Sequence, residues 1–209
     1  MNVLIIGASR GIGLELVKLA LDNGYLVTAL VRDPSKLSIK HDKLRVAKGN
    51  ILDTDSISRV MKDQDVVCCT IGINPTFRKV TVFSEGVSNV IQEMKKAGVK
   101  RLISVTGIGA GDSKGHGGFL YDKIVNPLIL GTIYKDKDRE ESIIKSSDVD
   151  WTIVRPGFLT NGELTENYRV FTDLKGVTAG KISRKDVAHF ILEQFNSNQY
   201  LKKTPLLTY

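Results

Sequence analysis

The sequence predicts an α/β fold, a doubly wound and mostly parallel sheet with helices on both faces. Three observations carry this. Short runs rich in Val, Ile and Leu alternate with segments of helical period along the whole chain, an order that lays crossover helices over a parallel sheet. A glycine-rich turn, Gly7-Ala8-Ser9-Arg10-Gly11-Ile12-Gly13, joins the first run to the first helical segment. No repeat, low-complexity tract or linker interrupts the pattern, so residues 1–209 are expected to form a single domain whose C-terminal half completes the sheet.

The elements follow in order. Residues 2–6 are an apolar strand ending at Gly7. From Ile12 to Leu21, the residues Ile12, Leu16, Leu19 and Ala20 share one helical face, and Gly24 marks the stop. Residues 26–31 form a second strand, which makes a βαβ unit with the first. Residues 32–37 read as a turn and a short helical start, and 44–48 as a third strand. A short helix runs from Thr54 to Lys62, capped by Asp53 or Thr54. Strand four spans 65–70 and closes at Gly72. Val87, Val90, Ile91 and Met94 line one side of a helix from Ser84 to Ala97, which Gly98 ends. Strand five spans 101–106. Residues 107–118 contain six glycines and read as a mobile loop at that strand's C-terminal end. A helix over 135–147, a strand over 151–155 stopped by Pro156-Gly157, a helix from Ser183 to Gln194 with a Ser183/Asp186 cap, and a last strand near 204–207 complete the chain.

Composition limits the function classes. The apolar fraction of 42% supports a sizeable core. No run of 18 apolar residues occurs, so no membrane span is expected, and the direct entry of Met1–Ile6 into Gly7 argues against a signal peptide and for a cytoplasmic protein. The net charge is +7, from 30 Lys and Arg against 23 Asp and Glu. Acidic residues interleave with the basic ones, as in Lys135-Asp136-Lys137-Asp138-Arg139-Glu140-Glu141, and read as a solvated surface rather than a nucleic-acid stripe. Cys68 and Cys69 are adjacent and point to opposite faces of a strand. They and His41, His116 and His189 make no metal set; His189 is expected to pack within its helix, and His116 sits in the glycine-rich loop within reach of a substrate.

The glycine-rich turn carries the chemistry. Gly7 permits the tight turn, Gly11 leaves room for phosphates, and Gly13 lets helix and strand pack closely. The helix N-terminus then faces an anion. The strand–turn–helix–strand setting points to a dinucleotide, and the missing Lys-Ser/Thr ending argues against nucleoside-triphosphate hydrolysis. Arg32, at the end of the second strand where an acid would hold ribose hydroxyls, suits a 2′-phosphate, with Arg10 as a second cation and Asp33 one place late. The expected cofactor is NADPH (NADP). Its binding residues are expected to be Gly7, Ser9, Arg10, Gly11, Ile12, Gly13, Arg32, Asn50, Ile51, Thr70 and Gly72, with Asn50 or Asp53 beside the adenine and Thr70 and Gly72 beside the ribose.

Gly7 to Gly13, Leu30-Val31-Arg32-Asp33 and Trp151-Thr152-Ile153-Val154-Arg155-Pro156-Gly157 resemble the atypical short-chain dehydrogenase/reductase superfamily. Within it they are similar to the NAD(P)H-binding group of biliverdin reductase B (flavin reductase) and NmrA-like proteins. The likeness extends through 84–90 and 181–188. It implies a Rossmann-like core without a large second domain, with the nicotinamide near Thr70, Gly72, Thr106 and Pro156.

The superfamily's Tyr-x-x-x-Lys pair is altered here. Its Lys position falls on Lys137 and its Tyr position on Ile133, one residue before Tyr134. Gly107 and Gly157 stand where the flavin reductase has Ser and His. The catalytic candidates are therefore Thr106 and Tyr121 as hydrogen-bond donors, and Lys137. The function expected is hydride transfer from NADPH to a small conjugated acceptor such as a flavin or quinone, with orientation and water exclusion supplied by the protein. The glycine-rich loop is expected to cover that acceptor. A non-enzymatic NADP-binding redox sensor and a sugar epimerase or dehydratase are the alternatives. The partner is a small-molecule substrate, with no nucleic acid and no membrane, and the chain is expected to be a monomer or homodimer.

Overall fold

The computed structural model describes residues 1–119 and 121–209. Its elements are β1 (Asn2–Ile6), α1 (Gly11–Asp22), β2 (Leu26–Val31), β3 (Leu44–Lys48), α2 (Thr54–Met61), β4 (Val66–Cys69), α3 (Val82–Ala97), β5 (Arg101–Val105), α4 (Gly131–Lys145), β6 (Asp150–Pro156), β7 (Phe158–Thr160), β8 (Arg169–Phe171), β9 (Lys181–Ser183), α5 (Arg184–Glu193) and β10 (Leu206–Thr208). Eight strands form one sheet in the order β3-β2-β1-β4-β5-β6-β10-β8, and β7 pairs with β9 beside it. Every pairing is parallel except that of β8 with β10. The chain leaves β1 in one direction for β2 and β3 and returns on its other side as β4, which opens a crevice beyond the C-terminal ends of β1 and β4.

The period of two along the strands sorts side chains into two apolar layers. Val3, Ile5, Val66, Cys68 and Val154 pack with α1 and α5. Leu4, Ile6, Val67, Cys69 and Ile153 pack with α2, α3 and the end of α4. Each fully buried Leu, Ile or Val contributes about 1.5–3 kcal/mol, so both layers are needed to hold a sheet covered on both faces. The two cysteines lie on opposite faces, as their adjacency predicts. Burial pushes both thiols far above their ordinary range, which makes them inert packing groups. No helix among the described residues is long and apolar enough to cross a membrane.

Local boundaries follow caps. Asp53 caps α2 by accepting from Asp55 N–H, and Ser183 caps α5 by accepting from Asp186 N–H. Helix α3 begins at Val82 rather than Ser84 because its cap comes from a distant helix. Asp136 of α4 accepts from Phe83 N at 2.9 Å and from Ser84 Oγ at 2.5 Å. That tie spans more than fifty residues of sequence, beyond any local reading. The expected helix over 135–147 starts four residues earlier, and a π-helical segment, Tyr121–Leu130, leads into it.

Two expectations are overturned. The run Lys135–Glu141 is not a solvated surface: Asp136, Lys137, Glu140 and Glu141 are all buried. Each finds polar partners under the helix, which is what permits charge inside a protein. The glycine-rich stretch is also not a loose loop in its first half, since residues 107–110 are buried. A Cβ on Gly107 would lie 2.8 Å from the Tyr134 oxygen, and one on Gly109 would lie 2.7 Å from its ring. A Cβ on Gly111 would overlap Arg155, and one on Gly117 would overlap the Tyr121 ring. These glycines make room for large side chains behind them, and glycine content alone cannot distinguish that from mobility.

Candidate functional site

A cavity of about 600 Å³ opens at the C-terminal ends of β1, β2, β4, β5 and β6. Its floor is the β1–α1 turn. Gly7 and Gly11 adopt positive φ of 91° and 61°, the conformation that reverses the chain into α1. A Cβ on Gly11 would meet nothing nearer than the Arg184 side chain at 3.8 Å, so the space above Gly11 is the cavity itself. Gly13 does not line the cavity. A Cβ there would overlap the Gly7 carbonyl oxygen and Thr70 Oγ1, so Gly13 sets how closely α1 docks on the turn.

The expected cofactor residues converge here: Gly7, Ser9, Arg10, Gly11, Ile12, Arg32, Asn50, Ile51, Thr70, Gly72, Thr106 and Pro156 all line the cavity. Several have prior engagements that define what they can offer. Arg10 donates to the Gly72 carbonyl at 3.2 Å, which bridges the two strand ends. Thr70 Oγ1 donates to the Ile6 carbonyl at 2.9 Å, so that hydroxyl's proton is spent on the turn. Asn50 Oδ1 accepts from Leu52 N–H, leaving its amide nitrogen as the free group. Asp53 is used as a helix cap and is not part of the lining.

Arg32 and Asp33 separate clearly. Asp33 turns away from the cavity and accepts from Ser35 N–H and Ser35 Oγ. Those bonds hold its carboxyl below the ordinary range. Arg32 lines the cavity, and among the described residues no carboxylate lies within ion-pair distance of it. The charged lining residues are Arg10, Arg32, Lys137 and Arg184, and no described Asp or Glu joins them. Cations only, a glycine turn with open space above it and a helix N-terminus fit a dinucleotide carrying several phosphates.

The far end of the cavity is apolar, walled by Ile71, Ile73, Val82, Phe83, Leu130 and Ile133. Tyr134 and Lys137 from α4 meet Thr106 from the end of β5 here. Lys137 is buried; its Nζ donates to the Val105 carbonyl at 2.9 Å, pairs with Glu140 Oε2 at 3.0 Å and lies 3.8 Å from the centre of the Phe83 ring. Glu140 is held in turn by Ser104 Oγ at 2.7 Å. An ammonium has three donors; the Val105 carbonyl takes one in a hydrogen bond, and Lys137 also lines the cavity.

Thr106 corrects an expectation. It faces the cavity, but its hydroxyl donates to Glu141 Oε1 at 2.9 Å. Glu141 is clamped by the fully buried Arg155, with Nε–Oε1 at 2.9 Å and Nη2–Oε2 at 2.6 Å. Burial pushes the Glu141 carboxyl up, but Arg155 overcomes it and the net displacement is downward. A carboxylate so held accepts only. Thr106 therefore offers the cavity a lone pair and not the proton expected from sequence.

Tyr121 is likewise displaced from its expected place. It does not line the cavity; its hydroxyl donates to the Tyr134 hydroxyl at 3.1 Å. Burial pushes both phenols above their ordinary range. His116 is engaged with the Val177 carbonyl at 2.7 Å and lies outside the lining, and the glycine-rich segment beyond Thr106 backs Tyr134 rather than covering the cavity. Polar cavity-lining residues that sequence reasoning did not place there include Tyr134, Asn161 and Arg184. Tyr134 was detectable: residues three apart on a helix share a face as well as residues four apart.

Residues 7–198 match the family described as NAD(P)H-binding. The chain belongs to that family. A chloroplastic protein of Arabidopsis thaliana is 31% identical over 92% of this chain and 71% of its own length. YhfK of Bacillus subtilis, described as a sugar epimerase, is 29% identical over 92% of this chain and 86% of its own. Among solved structures, ChuY from Escherichia coli O157:H7, an anaerobilin reductase, superposes with a TM-score of 0.84 at 25% identity, covering 100% of this chain and 97% of that one. Fold, family and nucleotide agree with the resemblance to atypical short-chain dehydrogenases/reductases and NmrA-like proteins.

Proposed function

We propose that this protein is an NADPH-dependent reductase that delivers hydride to a small, flat, conjugated acceptor, with Tyr134 as the proton donor. The observation that carries the reading is the continuity of one cavity, from a cationic, carboxylate-free phosphate end to an apolar end that contains a half-buried phenol. The reductase ChuY has the same fold over its whole length, and supports the reading at the level of reaction class. The bound nicotinamide would supply the hydride, two electrons with a proton. Lys137 would hold the adjoining ribose through an N–H, and Thr106 would accept from the carboxamide N–H. Ile71, Ile73, Val82 and Leu130 would exclude water from the acceptor face. Tyr134 would release its proton to the acceptor anion and recover one through Tyr121, which donates to it. A sugar epimerase fits this end less well, because sugar hydroxyls need polar partners and Ile71, Ile73, Val82, Phe83, Leu130 and Ile133 outnumber Thr106, Tyr134 and Lys137 there.

The direct test is NADPH oxidation against flavins, quinones, dicarbonyls and tetrapyrroles. Tight NADPH binding without turnover on any acceptor would replace this reading with the sensor. Turnover confined to nucleotide sugars would replace it with the epimerase. Given turnover, Tyr134→Phe is expected to lower kcat about 10²-fold and to leave the dissociation constant for NADPH near the wild-type value. Its raised pKa keeps Tyr134 protonated through neutral pH, so wild-type kcat should stay level to the alkaline edge; a fall between pH 7 and 8 would count against a phenol donor.

Cofactor preference has a separate expectation. Arg32→Ala should weaken NADPH by about 1–3 kcal/mol and NADH little, since only the first carries a 2′-phosphate. Calorimetric titration with both nucleotides checks this, and equal losses would remove Arg32 as the discriminator.

A further inference from the structure

The turn at Gly7–Gly13 forms one wall of the phosphate slot; the opposite wall comes from the far end of the chain. Arg184, the first residue of α5, lines the cavity, and its Nε and Cδ are the nearest atoms to the space above Gly11. Its Nη1 donates to Asn161 Oδ1 at 2.8 Å, and Asn161 also lines the cavity. The β7–β9 pairing sets that contact, since it holds Thr160 opposite Ser183 and so brings the next residues, Asn161 and Arg184, together. Among the described residues no carboxylate pairs with Arg184, whereas the neighbouring Lys185 pairs with Glu163 at 2.6 Å. Arg184 is thus a guanidinium held in place by a neutral amide, aimed at a slot floored by glycine.

We propose that Arg184, positioned by Asn161, is the cation that clamps the cofactor's pyrophosphate against Gly11. This deepens the assignment of an NADPH site and rests on it. The four lining cations then divide their tasks. Arg10 is tied to Gly72 and Lys137 to Val105 and Glu140. Arg32 stands at the end of β2, where the 2′-phosphate is expected, and Arg184 stands over the turn. A guanidinium fork matches two phosphate oxygens, and its remaining N–H stays with Asn161. The consequence is mechanical as well as electrostatic: the nucleotide bridges α1 to the β7–β9 ladder and α5, so its binding ties the C-terminal half to the N-terminal βαβ unit.

The experiment is equilibrium titration of the whole protein with NADPH, NADH and 2′-AMP, the last having a 2′-phosphate but no pyrophosphate. Arg184→Ala is expected to weaken NADPH and NADH by a similar factor, about tenfold to a hundredfold, and to leave 2′-AMP unchanged. Arg184→Lys should recover part of the loss, and Asn161→Ala should weaken both dinucleotides less than Arg184→Ala does. The NADPH-induced rise in Tm should shrink in Arg184→Ala while the Tm without nucleotide stays near wild type, which separates a lost contact from a lost fold. A loss confined to NADPH would reassign Arg184 to the 2′-phosphate and overturn the proposal, as would unchanged binding of both dinucleotides. If the wild-type protein itself binds neither, the NADPH site fails first, and the two failures are distinguishable.

Discussion

Gly13→Ala is expected to abolish tight NADPH binding and to destabilise the fold. In a helix, alanine is favoured over glycine by about 1 kcal/mol. That gain is outweighed here, because the new Cβ would overlap the Gly7 carbonyl oxygen and Thr70 Oγ1. The first is backbone, and the second is held to the Ile6 carbonyl. Neither yields cheaply, and overpacking at such a site costs about 1–3 kcal/mol or more. Helix α1 must therefore lift from the turn, taking the phosphate-facing N–H groups with it. Gly11→Ala is the matched control. It carries a left-handed φ, which costs about 1–2 kcal/mol for a residue with a Cβ, but its Cβ meets open space. It should fold and still bind weakly, because the methyl occupies the anion's place. Urea unfolding and nucleotide titration on both variants separate the cases. A Gly13→Ala protein with wild-type midpoint and wild-type affinity would refute the close-docking role.

Arg155→Met should be the most destabilising substitution outside the apolar core. Arg155 is fully buried on β6, bidentate on Glu141 and within 2.6 Å of Asp112 Oδ1. Removing it leaves Glu141 buried with only the partly exposed Lys145, at 3.2 Å, as a counter-charge. Breaking one side of such a pair costs about 3–5 kcal/mol, because the remaining charge is stranded. The double variant Arg155→Met/Glu141→Leu removes both charges and should recover most of that loss. A single variant as stable as wild type would show that the pair is not what holds β6 to α4.

The same pair predicts an acid limit with a definite sign. The folded Glu141 carboxyl lies below its ordinary value of 4.5. Its stabilisation is therefore complete above about pH 4.5 and is lost as pH falls through the lower folded value. Wild type should lose stability in that acid window, and the double variant should lose less of it. Thr106 reports the same event from inside the cavity, since its hydroxyl loses its fixed acceptor when Glu141 is gone.

Much of the fold and half of the site were legible in the sequence. The parallel doubly wound sheet followed from alternating strand and helix periods, which are local. The phosphate turn followed from glycine spacing between a strand and a helix. Arg32 was legible because its place at the end of β2 is set by counting, and Asp33 became irrelevant only once its carboxylate was seen capping the next turn. Lys137 was found by counting back from Trp151–Pro156, although its burial and its carbonyl partner were not. The glycines at 107, 109, 111 and 117 carried the opposite meaning to the one their composition suggests.

Sequence by itself determined the order of β1–β6 and α1–α5, the two apolar layers, the glycine turn and the nucleotide class, because each depends on residues within a few positions of one another, whereas the short strands β7, β8 and β9 carried no such local signal. Tertiary structure alone decided which polar groups remain free to act. Thr106 donates its hydroxyl hydrogen bond to Glu141, Tyr121 stands one hydrogen bond behind Tyr134, Asp136 caps α3, and Arg184 reaches across to Gly11. These contacts join residues from 13 to more than 170 positions apart. A hydrogen bond's direction and a charge's partner are settled by the three-dimensional approach of groups from different elements, and no periodicity within one element encodes that.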